Sequence, residues 1–156
     1  MKQRILFLCT GNSARSQMAE ALLPLIAGDH FEAVSAGTHP AGLNPMTIEV
    51  MQEVGVDIRH HRSKSVEKFL SQEFDYVITV CDRAKETCPV FSGARNIRHW
   101  SFDDPAAAAP QNRREVFQRV RDEIAERLCE FLNDVGVPPT AVGCIPQNLT
   151  EKRNHK

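Results

Sequence analysis

Apolar residues are concentrated in four short runs along the chain. The runs are Arg4–Cys9, Phe31–Ala36, Tyr76–Cys81 and Asn96–Trp100. In the first and third runs the apolar residues are nearly continuous and do not alternate with polar ones. Burial on both faces of a strand produces that pattern. The four runs therefore predict four buried parallel strands.

Apolar residues at helical spacing occupy the segments between and after these runs. We expect a helix after the first run, a second helix from Pro45 to near Gly55, and a long helix from near Arg113 to Val135. The apolar stripes are Met18, Ala21, Leu22, Leu25 and Ile26 in the first helix and Val116, Val120, Ile124, Leu128 and Phe131 in the last. Strands that alternate with helices predict a single doubly wound α/β domain, with a four-stranded parallel sheet flanked by helices. Such folds bind ligands at the carboxyl ends of their strands.

The end of the long helix marks the predicted domain boundary. Gly136 and the prolines at 138 and 139 stop the helix, and the residues that follow lack hydrophobic periodicity. We therefore predict a domain over residues 1–135 and a C-terminal tail over residues 136–156. The net charge of -1 does not indicate a nucleic-acid or membrane partner, and no apolar run has the length of a signal sequence or a membrane span. We expect a cytoplasmic protein.

The chain contains five cysteines, an odd number. Because the cytosol keeps most thiols reduced, we do not expect a structural disulfide framework. Grouped cysteines in such a protein indicate metal binding or catalysis, and their spacing must decide between the two. We predict that Cys129, in the last helix, and Cys144, in the tail, are not catalytic.

The segment between the first strand and the first helix is Cys9-Thr10-Gly11-Asn12-Ser13-Ala14-Arg15-Ser16. A loop that enters a helix N-terminus turns free N–H groups inward and forms a site for a tetrahedral anion. Gly11 permits close approach of the backbone, Asn12 tolerates a left-handed conformation, and Arg15 can bind two anion oxygens with its guanidinium group. We predict an oxyanion-binding site formed by Thr10, Gly11, Asn12, Ser13, Ala14, Arg15 and Ser16.

Cys9 is the candidate nucleophile of this loop. The positive environment of the loop favours the thiolate form of Cys9 at neutral pH, and the Ser16 hydroxyl can donate a hydrogen bond to the sulfur. A thiolate beside a bound oxyanion can attack its central atom. The alternative is that Cys9 is a buried strand-end residue and Arg15 a surface charge. The position of the loop between a buried strand and an amphipathic helix favours the anion site.

A candidate general acid follows the fourth strand, in the tripeptide Asp103-Asp104-Pro105. Displacement at an oxyanion requires protonation of the departing oxygen, which a nearby carboxyl group can provide. Pro105 restricts Asp104 to an extended conformation, so we predict Asp104 as the acid and Asp103 as the alternative. The competing interpretation is an ordinary polar turn.

Two further cysteines follow the third apolar run. Cys81 ends that run, and Cys88 lies seven residues later. Because the ends of neighbouring parallel strands meet at one edge of a sheet, Cys81 can lie near Cys9. A hydrolase needs no second thiol, whereas a reductase needs one thiol to attack the first adduct and another to carry the disulfide away. Alternatively, Cys81 is a small buried hydrophobic residue, or the cysteines bind zinc, although the sequence has no Cys-x2-Cys pair and no clear fourth ligand.

Cys9–Ser16 together with Asp104-Pro105 resembles the low-molecular-weight protein tyrosine phosphatase fold. The additional Cys81 and Cys88, with the segment His99-Trp100-Ser101-Phe102-Asp103-Asp104-Pro105, resemble more specifically the thioredoxin-coupled arsenate reductase branch of that family. The resemblance covers about residues 2–133 and leaves out the final segment.

The resemblance implies reduction of arsenate by a relay of three cysteines. Cys9 attacks arsenate held by the loop and Arg15, while Asp104 protonates the departing oxygen. Cys81 then attacks the Cys9 sulfur, arsenite leaves, and a Cys9–Cys81 disulfide remains. Cys88 moves the disulfide to Cys81–Cys88, where thioredoxin is the expected electron donor and glutaredoxin is the alternative. The resemblance implies no metal and no bound organic cofactor, and phosphate or sulfate would compete for the anion site.

The chain departs from some relatives of this family at Lys64. Those relatives carry a carboxylate there, as part of a cation site near the loop, and the counterparts of its other residues are Asn12, Glu20 and Ser35. Our hypothesis is that the Lys64 ammonium replaces the cation by pairing with Glu20. The alternative is a solvated surface lysine. Ala14 stands where some relatives carry another cysteine, which the relay does not use.

Two other functions compete with arsenate reduction. A phosphatase acting on phosphotyrosine or small phosphomonoesters would use only Cys9, Arg15 and Asp104. Phosphatase relatives often carry tyrosines after the Asp-Pro pair, and this chain has Ala106-Ala107 there, which argues against an aryl substrate. A redox sensor or anion-binding module without turnover would leave Asp104 without a role.

Overall fold

The computed structural model describes residues 2–81 and 94–139. Its strands are β1 (Gln3–Cys9), β2 (Phe31–Gly37), β3 (Phe74–Thr79) and β4 (Ala94–His99). Its helices are α1 (Arg15–Ala27), α2 (Pro45–Gln52) and α3 (Arg113–Asp134), with short 3-10 helices at Val66–Phe69, Pro105–Ala107 and Pro110–Asn112. The strand pairings in these residues are parallel. The predicted α/β fold with a four-stranded parallel sheet is therefore confirmed.

The strand order of the sheet is β2-β1-β3-β4, so β1 has a strand on either side. Residues 5–8 of β1 are fully buried, which explains their continuous apolar run. β1 pairs with β2 up to Cys9↔Gly37 and with β3 up to Leu8↔Thr79, so the three carboxyl ends meet at one edge. The chain leaves β1 for β2 on one side and returns to its other side at β3. The carboxyl end of β1 is therefore the switch point at which such sheets bind ligands.

An aromatic cluster joins α3 to the sheet. The ring centroid of Phe131, in α3, lies 5.0 Å from that of Tyr76 in β3 and 5.8 Å from that of Trp100. It lies 5.7 Å from the ring centroid of Phe31 in β2. Tilted and edge-on ring pairs at such distances are favourable beyond the apolar area that they bury. These contacts hold α3 across the sheet and anchor Trp100, which precedes the acidic segment after β4.

A buried arginine joins α3 to α2. The side chain of Arg121 is fully buried, and its Nη1 donates to the carbonyl oxygen of Val50 at 2.8 Å and to Glu53 at 3.2 Å. Burial tends to raise the pKa of Glu53, but hydrogen bonds from Gln118 and Arg121 outweigh burial and hold that pKa below its usual value. The two helices therefore share a charged pair, which a search for apolar stripes does not reveal.

Two of the predicted strands are displaced along the chain. The third strand ends at Thr79 and not at Cys81, which lies beyond it. The fourth strand is Ala94–His99 instead of Asn96–Trp100. It is an edge strand in which Ile97 is 59% exposed. The expectation of a buried fourth strand was therefore wrong, because this strand has a neighbour on one side only and its middle residues face solvent.

The predicted helices differ from the observed ones in detail. α2 ends at Gln52, and Gly55 follows it with φ 82°, in the left-handed region. In α3, Val120, Ile124, Leu128 and Phe131 of the predicted stripe are fully buried, whereas Val116 is only half-buried and its neighbour Phe117 is buried instead. Within residues 2–81 and 94–139, the three predicted helices are present in the predicted order.

The end of α3 lies where the sequence predicts it. Gly136 has φ 71°, the left-handed conformation that commonly terminates a helix. Residues 140–156, most of the predicted tail, lie outside the described residues, so the division at residue 135 stays a prediction. Within the part of the chain that the structure describes, no helix combines the length and the apolar character that crossing a membrane requires.

Replacing Phe131 with alanine should destabilise the protein by about 3–5 kcal/mol, because the change removes contacts with rings of the sheet and leaves a cavity. Ile97→Ala is the control, because Ile97 is mostly exposed, and its effect should stay below about 0.5 kcal/mol. Urea unfolding followed by the fluorescence of the buried Trp100 measures both changes. Equal losses of stability in the two variants would contradict the packing described for α3.

Candidate active site

A cavity of about 540 Å³ opens at the carboxyl ends of β1 and β3. Its wall combines the loop after β1, the residue Cys81 and the acidic segment after β4. The lining residues are Cys9, Thr10, Gly11, Ser13, Ala14, Arg15, Cys81, Ser101, Phe102, Asp103, Asp104 and Ala106. The structure thus brings together four of the five predicted catalytic residues, and the fifth, Cys88, lies outside the described residues.

Cys9 is the last residue of β1. Its side chain lies in the wall of this cavity and is 3% exposed. Ser16 Oγ lies 2.8 Å from Cys9 Sγ, and the backbone N–H of Asn12 donates to the sulfur over 3.1 Å. Hydrogen bonds donated to a sulfur stabilise its charged form. Cys9 therefore has contacts suited to a nucleophilic thiolate.

Asn12 supports the loop from beneath. It is fully buried and has φ 49°, the left-handed conformation expected for it. Its Nδ2 donates to Ser16 Oγ at 2.8 Å and to Ser35 Oγ at 2.9 Å, while its Oδ1 accepts the backbone N–H of Lys64 at 2.8 Å. Asn12 and Ser16 were predicted to bind the oxyanion with the rest of the loop, but their side chains are buried behind the cavity wall.

The connector between α2 and β3 holds the same loop. Ser63 Oγ donates to the carbonyl oxygens of Gly11 at 2.7 Å and Asn12 at 3.1 Å. Gln17, which is fully buried, donates through Nε2 to the carbonyl oxygen of Arg62 at 2.8 Å and to that of Asn12 at 3.3 Å. The loop is therefore fixed by a segment far from it in sequence. Gln17 was missed from the sequence, because a glutamine in an amphipathic helix gives no signal of such a role.

Gly37, at the end of β2, packs directly against the loop. Its N–H donates to the carbonyl oxygen of Lys64 at 2.8 Å. A Cβ atom at this position would lie 2.6 Å from the carbonyl oxygen of Thr10 and 3.0 Å from the backbone nitrogen of Asn12. The first distance is too short for a carbon atom and the second is very tight, so the close approach of β2 to the loop requires glycine here.

Arg15 connects the loop with the acidic segment after β4. Its Nη1 donates to the carbonyl oxygen of Phe102 at 3.0 Å, and its side chain lines the cavity. A guanidinium group has five N–H donors, so this contact sets the direction of the side chain while other donors can reach an anion in the cavity.

The two aspartates of the acidic segment have different partners. Asp104 Oδ1 accepts the backbone N–H of Ala106 at 3.0 Å and caps the 3-10 helix that follows. Asp103 Oδ2 lies 3.0 Å from the guanidinium of Arg119, on α3. Asp103 is thus held in an ion pair with α3, whereas Asp104 is held by a backbone N–H of its own segment. The geometry therefore favours Asp104 over Asp103 as the acid.

Cys81 enters the cavity from the segment after β3. It is 3% exposed, and its Sγ lies 3.5 Å from Thr10 Oγ1 in the anion loop. Neither Cys9 nor Cys81 forms a disulfide bond. The predicted proximity of Cys81 to the loop is therefore confirmed, although Cys81 lies beyond the strand and not at its end.

A mostly buried carboxylate lies beneath the loop, at Glu20. Its Oε1 accepts the backbone N–H of Ser35 at 2.8 Å and the Ser35 hydroxyl at 3.0 Å. Lys64 Nζ lies 3.4 Å from Oε1, and His61 Nδ1 lies 3.0 Å from Oε2. Burial lowers the pKa of His61, and the charge of Glu20 opposes that effect in part. The predicted contact between Lys64 and Glu20 is therefore present, and His61 is a partner that the sequence did not indicate.

Among residues 2–81 and 94–139, no group of three or more His, Cys, Asp or Glu side chains is arranged to hold a metal ion. Cys129, on α3, is disulfide-bonded and lines a separate groove at the end of that helix. The expectation of reduced thiols therefore does not hold for Cys129. Cys144 lies outside the described residues.

Comparison with known proteins identifies relatives over most of the chain. Residues 4–138 match the family described as low molecular weight phosphotyrosine protein phosphatase. An arsenate reductase from Halalkalibacterium halodurans is 42% identical over 132 residues, which are 83% of this chain and 95% of that protein.

Solved structures share the architecture of this chain. An arsenate reductase in the phosphate binding state matches with a TM-score of 0.74 at 29% identity, over 85% of this chain and 98% of that one. A thioredoxin-dependent arsenate reductase from Corynebacterium glutamicum matches with a TM-score of 0.60 at 28% identity, over 85% of this chain and 63% of that one. The resemblance seen in the sequence is confirmed, and the chain belongs to the low molecular weight phosphotyrosine protein phosphatase family.

Proposed function

We propose that this chain reduces arsenate to arsenite by a thiol–disulfide relay of Cys9, Cys81 and Cys88 that thioredoxin recharges. The observation that carries the proposal is the presence of two cysteines outside any disulfide, Cys9 and Cys81, in the wall of one cavity beside the anion loop. A hydrolase has no use for the second thiol, whereas reduction of a bound oxyanion requires it. The arsenate reductases that are similar over most of the chain support the same reaction.

Arsenate binds in the loop between Cys9 and Arg15. The N–H groups at the start of α1 and the Arg15 guanidinium supply donors and positive charge for its oxygens. Phosphate and sulfate have the same tetrahedral shape and compete for the loop. The relative solved in the phosphate binding state supports a tetrahedral anion as the ligand.

The first step joins Cys9 Sγ to arsenic and breaks one arsenic–oxygen bond. The contacts of Ser16 and Asn12 with the sulfur favour the attacking thiolate. Asp104 gives its proton to the departing oxygen. Arsenic remains pentavalent in this adduct, because no electrons have yet been transferred to it.

The second step reduces arsenic. The Cys81 thiolate attacks Cys9 Sγ, and the electron pair of the sulfur–arsenic bond moves to arsenic, which leaves as trivalent arsenite. The two sulfurs are oxidised to a Cys9–Cys81 disulfide. The position of Cys81 Sγ, 3.5 Å from the hydroxyl oxygen of Thr10 in the loop that begins with Cys9, supports this attack.

The third step regenerates the nucleophile. Cys88 attacks Cys81, Cys9 leaves as a thiolate, and thioredoxin reduces the resulting Cys81–Cys88 disulfide. This step rests on the sequence and on the thioredoxin-dependent relative, since Cys88 lies outside the described residues. The relay uses no bound cofactor. It needs a compartment that supplies reduced thioredoxin, and we therefore place the protein in the cytoplasm.

Hydrolysis of phosphomonoesters is the competing function, since it would use Cys9, Arg15 and Asp104 alone. Ala106 lines the cavity after Asp104, and Phe102 is the one aromatic residue among the described residues of the wall. This described part of the wall therefore offers no pair of aromatic rings to enclose an aryl phosphate. Weak hydrolysis of a small phosphomonoester remains compatible with this cavity, because the two reactions share the anion loop.

The relay predicts that Cys9→Ser, Cys81→Ser and Cys88→Ser each abolish arsenate turnover. The assay follows NADPH consumption with arsenate, thioredoxin and thioredoxin reductase. Cys88→Ser should still release one arsenite per chain before it stops, because only the third step is blocked. The control is the double variant Cys129→Ser/Cys144→Ser, which removes both cysteines outside the relay and should keep the activity of the parent. If only Cys9→Ser lost activity, and p-nitrophenyl phosphate were the better substrate, the chain would be a phosphatase.

The assignment of the acid predicts that Asp104→Ala slows arsenite formation by about a hundred- to ten-thousandfold, because the departing oxygen loses its proton donor. Asp103→Ala removes a neighbouring carboxylate that is paired with Arg119, and its rate should change far less. Single-turnover arsenite formation compares the two variants. A larger loss in Asp103→Ala would exchange the two roles, and a parental rate in Asp104→Ala would leave the cavity without an acid.

A further inference from the structure

Glu20 is a charged residue for which the relay has no use. Its side chain is 15% exposed and lies behind the loop rather than in the cavity wall. The side chain of Lys64 is 24% exposed, and its Nζ lies 3.4 Å from Glu20 Oε1 and 3.0 Å from the carbonyl oxygen of Arg62. The ammonium group therefore lies among oxygen atoms, and its charge opposes that of a mostly buried carboxylate.

Hydrogen bonds lead from Glu20 to the nucleophile. The Ser35 hydroxyl donates to Glu20, so the single hydrogen of that hydroxyl is used and its oxygen can only accept from Asn12 Nδ2. Asn12 Nδ2 also donates to Ser16 Oγ. Because Ser16 accepts this bond, its own hydrogen is available to Cys9 Sγ at 2.8 Å. The negative charge of Glu20 thus sets the direction of the Ser35 hydroxyl. The amide of Asn12 is oriented by two donors to its Oδ1, the backbone N–H of Lys64 and Nε2 of Gln17.

The reverse orientation of the Asn12 amide would undo this arrangement. With Oδ1 turned towards Ser16, the Ser16 hydroxyl would donate to Asn12 and not to the sulfur of Cys9. The backbone N–H of Lys64 donates to Asn12 Oδ1 at 2.8 Å and so opposes that orientation. Lys64 therefore acts at both ends of the series, through its ammonium at Glu20 and through its backbone at Asn12.

We propose that Lys64 is a positioning residue whose tethered ammonium balances the charge of Glu20 and thereby directs the Ser16 hydroxyl to Cys9. The inference rests on the proposed role of Cys9 as the nucleophile. His61 donates to the other oxygen of Glu20 through Nδ1, whose second neighbour, Gln17 Oε1, is also an acceptor. His61 therefore supports Glu20 by a hydrogen bond, and Lys64 supplies the compensating charge.

Removal of the Lys64 ammonium should make the protein respond to potassium. If Lys64 becomes methionine, Glu20 loses the ammonium that holds its carboxylate at Ser35, and the oxygen atoms of Glu20 and Arg62 surround the space left by the ammonium. Such a set of oxygens suits a small monovalent cation from solution. The parent, which carries its own ammonium there, should not respond to potassium beyond the effect of ionic strength.

The test measures the alkylation rate of Cys9 by iodoacetamide, with the labelled peptide identified by mass spectrometry. In choline chloride, Lys64→Met should react about fivefold more slowly than the parent or slower still. Potassium chloride at the same ionic strength should restore much of the rate, because potassium fits the vacated space and choline is too large. Lys64→Arg should retain most of the parental rate.

Two control variants distinguish the proposed role of Lys64 from a general effect of removing a lysine and from an effect that does not involve Glu20. Lys68→Met removes an exposed lysine of the same segment and should match the parent in both salts. The double variant Glu20→Gln/Lys64→Met has neither charge and should show no response to potassium. Urea unfolding of each variant verifies that the comparison is between folded proteins.

Three results would overturn the proposal. They are a parental alkylation rate for Lys64→Met in choline chloride, a loss that neither potassium nor arginine restores, and a parent that potassium itself accelerates. Alkylation of Cys9 does not depend on arsenate or thioredoxin. A chain that fails to reduce arsenate would therefore refute the proposed function and still leave the role of Lys64 open to this measurement.

Discussion

The geometry of the site depends on one strained residue, Asn12, which is held in the left-handed conformation beneath the anion loop. A residue with a side chain adopts this conformation at an energetic cost, so the surrounding structure must compensate. It does so through the buried amide, which bonds to Ser16, Ser35 and the backbone of Lys64. The turn at Asn12 directs its own N–H to the sulfur of Cys9. Without that turn, the thiol and the N–H groups of the loop would not face one anion.

These supports come from separate elements of the fold. Ser16 belongs to α1, Ser35 to β2, and Lys64 to the connector after α2. On the other side of β1, β3 leads to Cys81, and the segment after β4 supplies the proposed acid and the carbonyl oxygen that orients Arg15. The loop lies where all of these meet because β1 has a neighbour on both sides. The position of the site therefore follows from the strand order, and its chemistry follows from the residues at the strand ends.

The sequence predicts those parts of the site that are contiguous along the chain or that follow from the order of the strands in the sheet. The anion loop is a single run of eight residues, and the neighbouring ends of parallel strands place Cys81 beside it. The supports are different, because their partners are distant along the chain: Gln17 and Arg62 are 45 residues apart. Gly37 likewise carries no motif, and only the packing of β2 on the loop reveals why it must be glycine.

The errors about the sheet have a related cause. The apolar run that includes Cys81 continues past the last residue paired in β3, so composition cannot show where pairing stops. The exposure of Ile97 depends on β4 being the edge strand, which is a property of strand order and not of local sequence. Arg121 was missed for another reason, since a charged residue on a helix is usually solvated and its burial requires partners on α2.

Membership in a phosphatase family and arsenate reduction are compatible because the two reactions differ only after the first adduct forms. A phosphorus adduct on Cys9 is resolved by water attacking phosphorus, since phosphorus does not accept two electrons from a thiol under these conditions. An arsenic adduct can accept them, so its fate is decided by which nucleophile lies nearest. Cys81 is 3% exposed and borders the same loop. A thiol held at such a site has a large advantage in effective concentration over one in solution. In the proposed relay, a cysteine that follows a neighbouring strand therefore gives the arsenic adduct a redox route that a phosphorus adduct does not have.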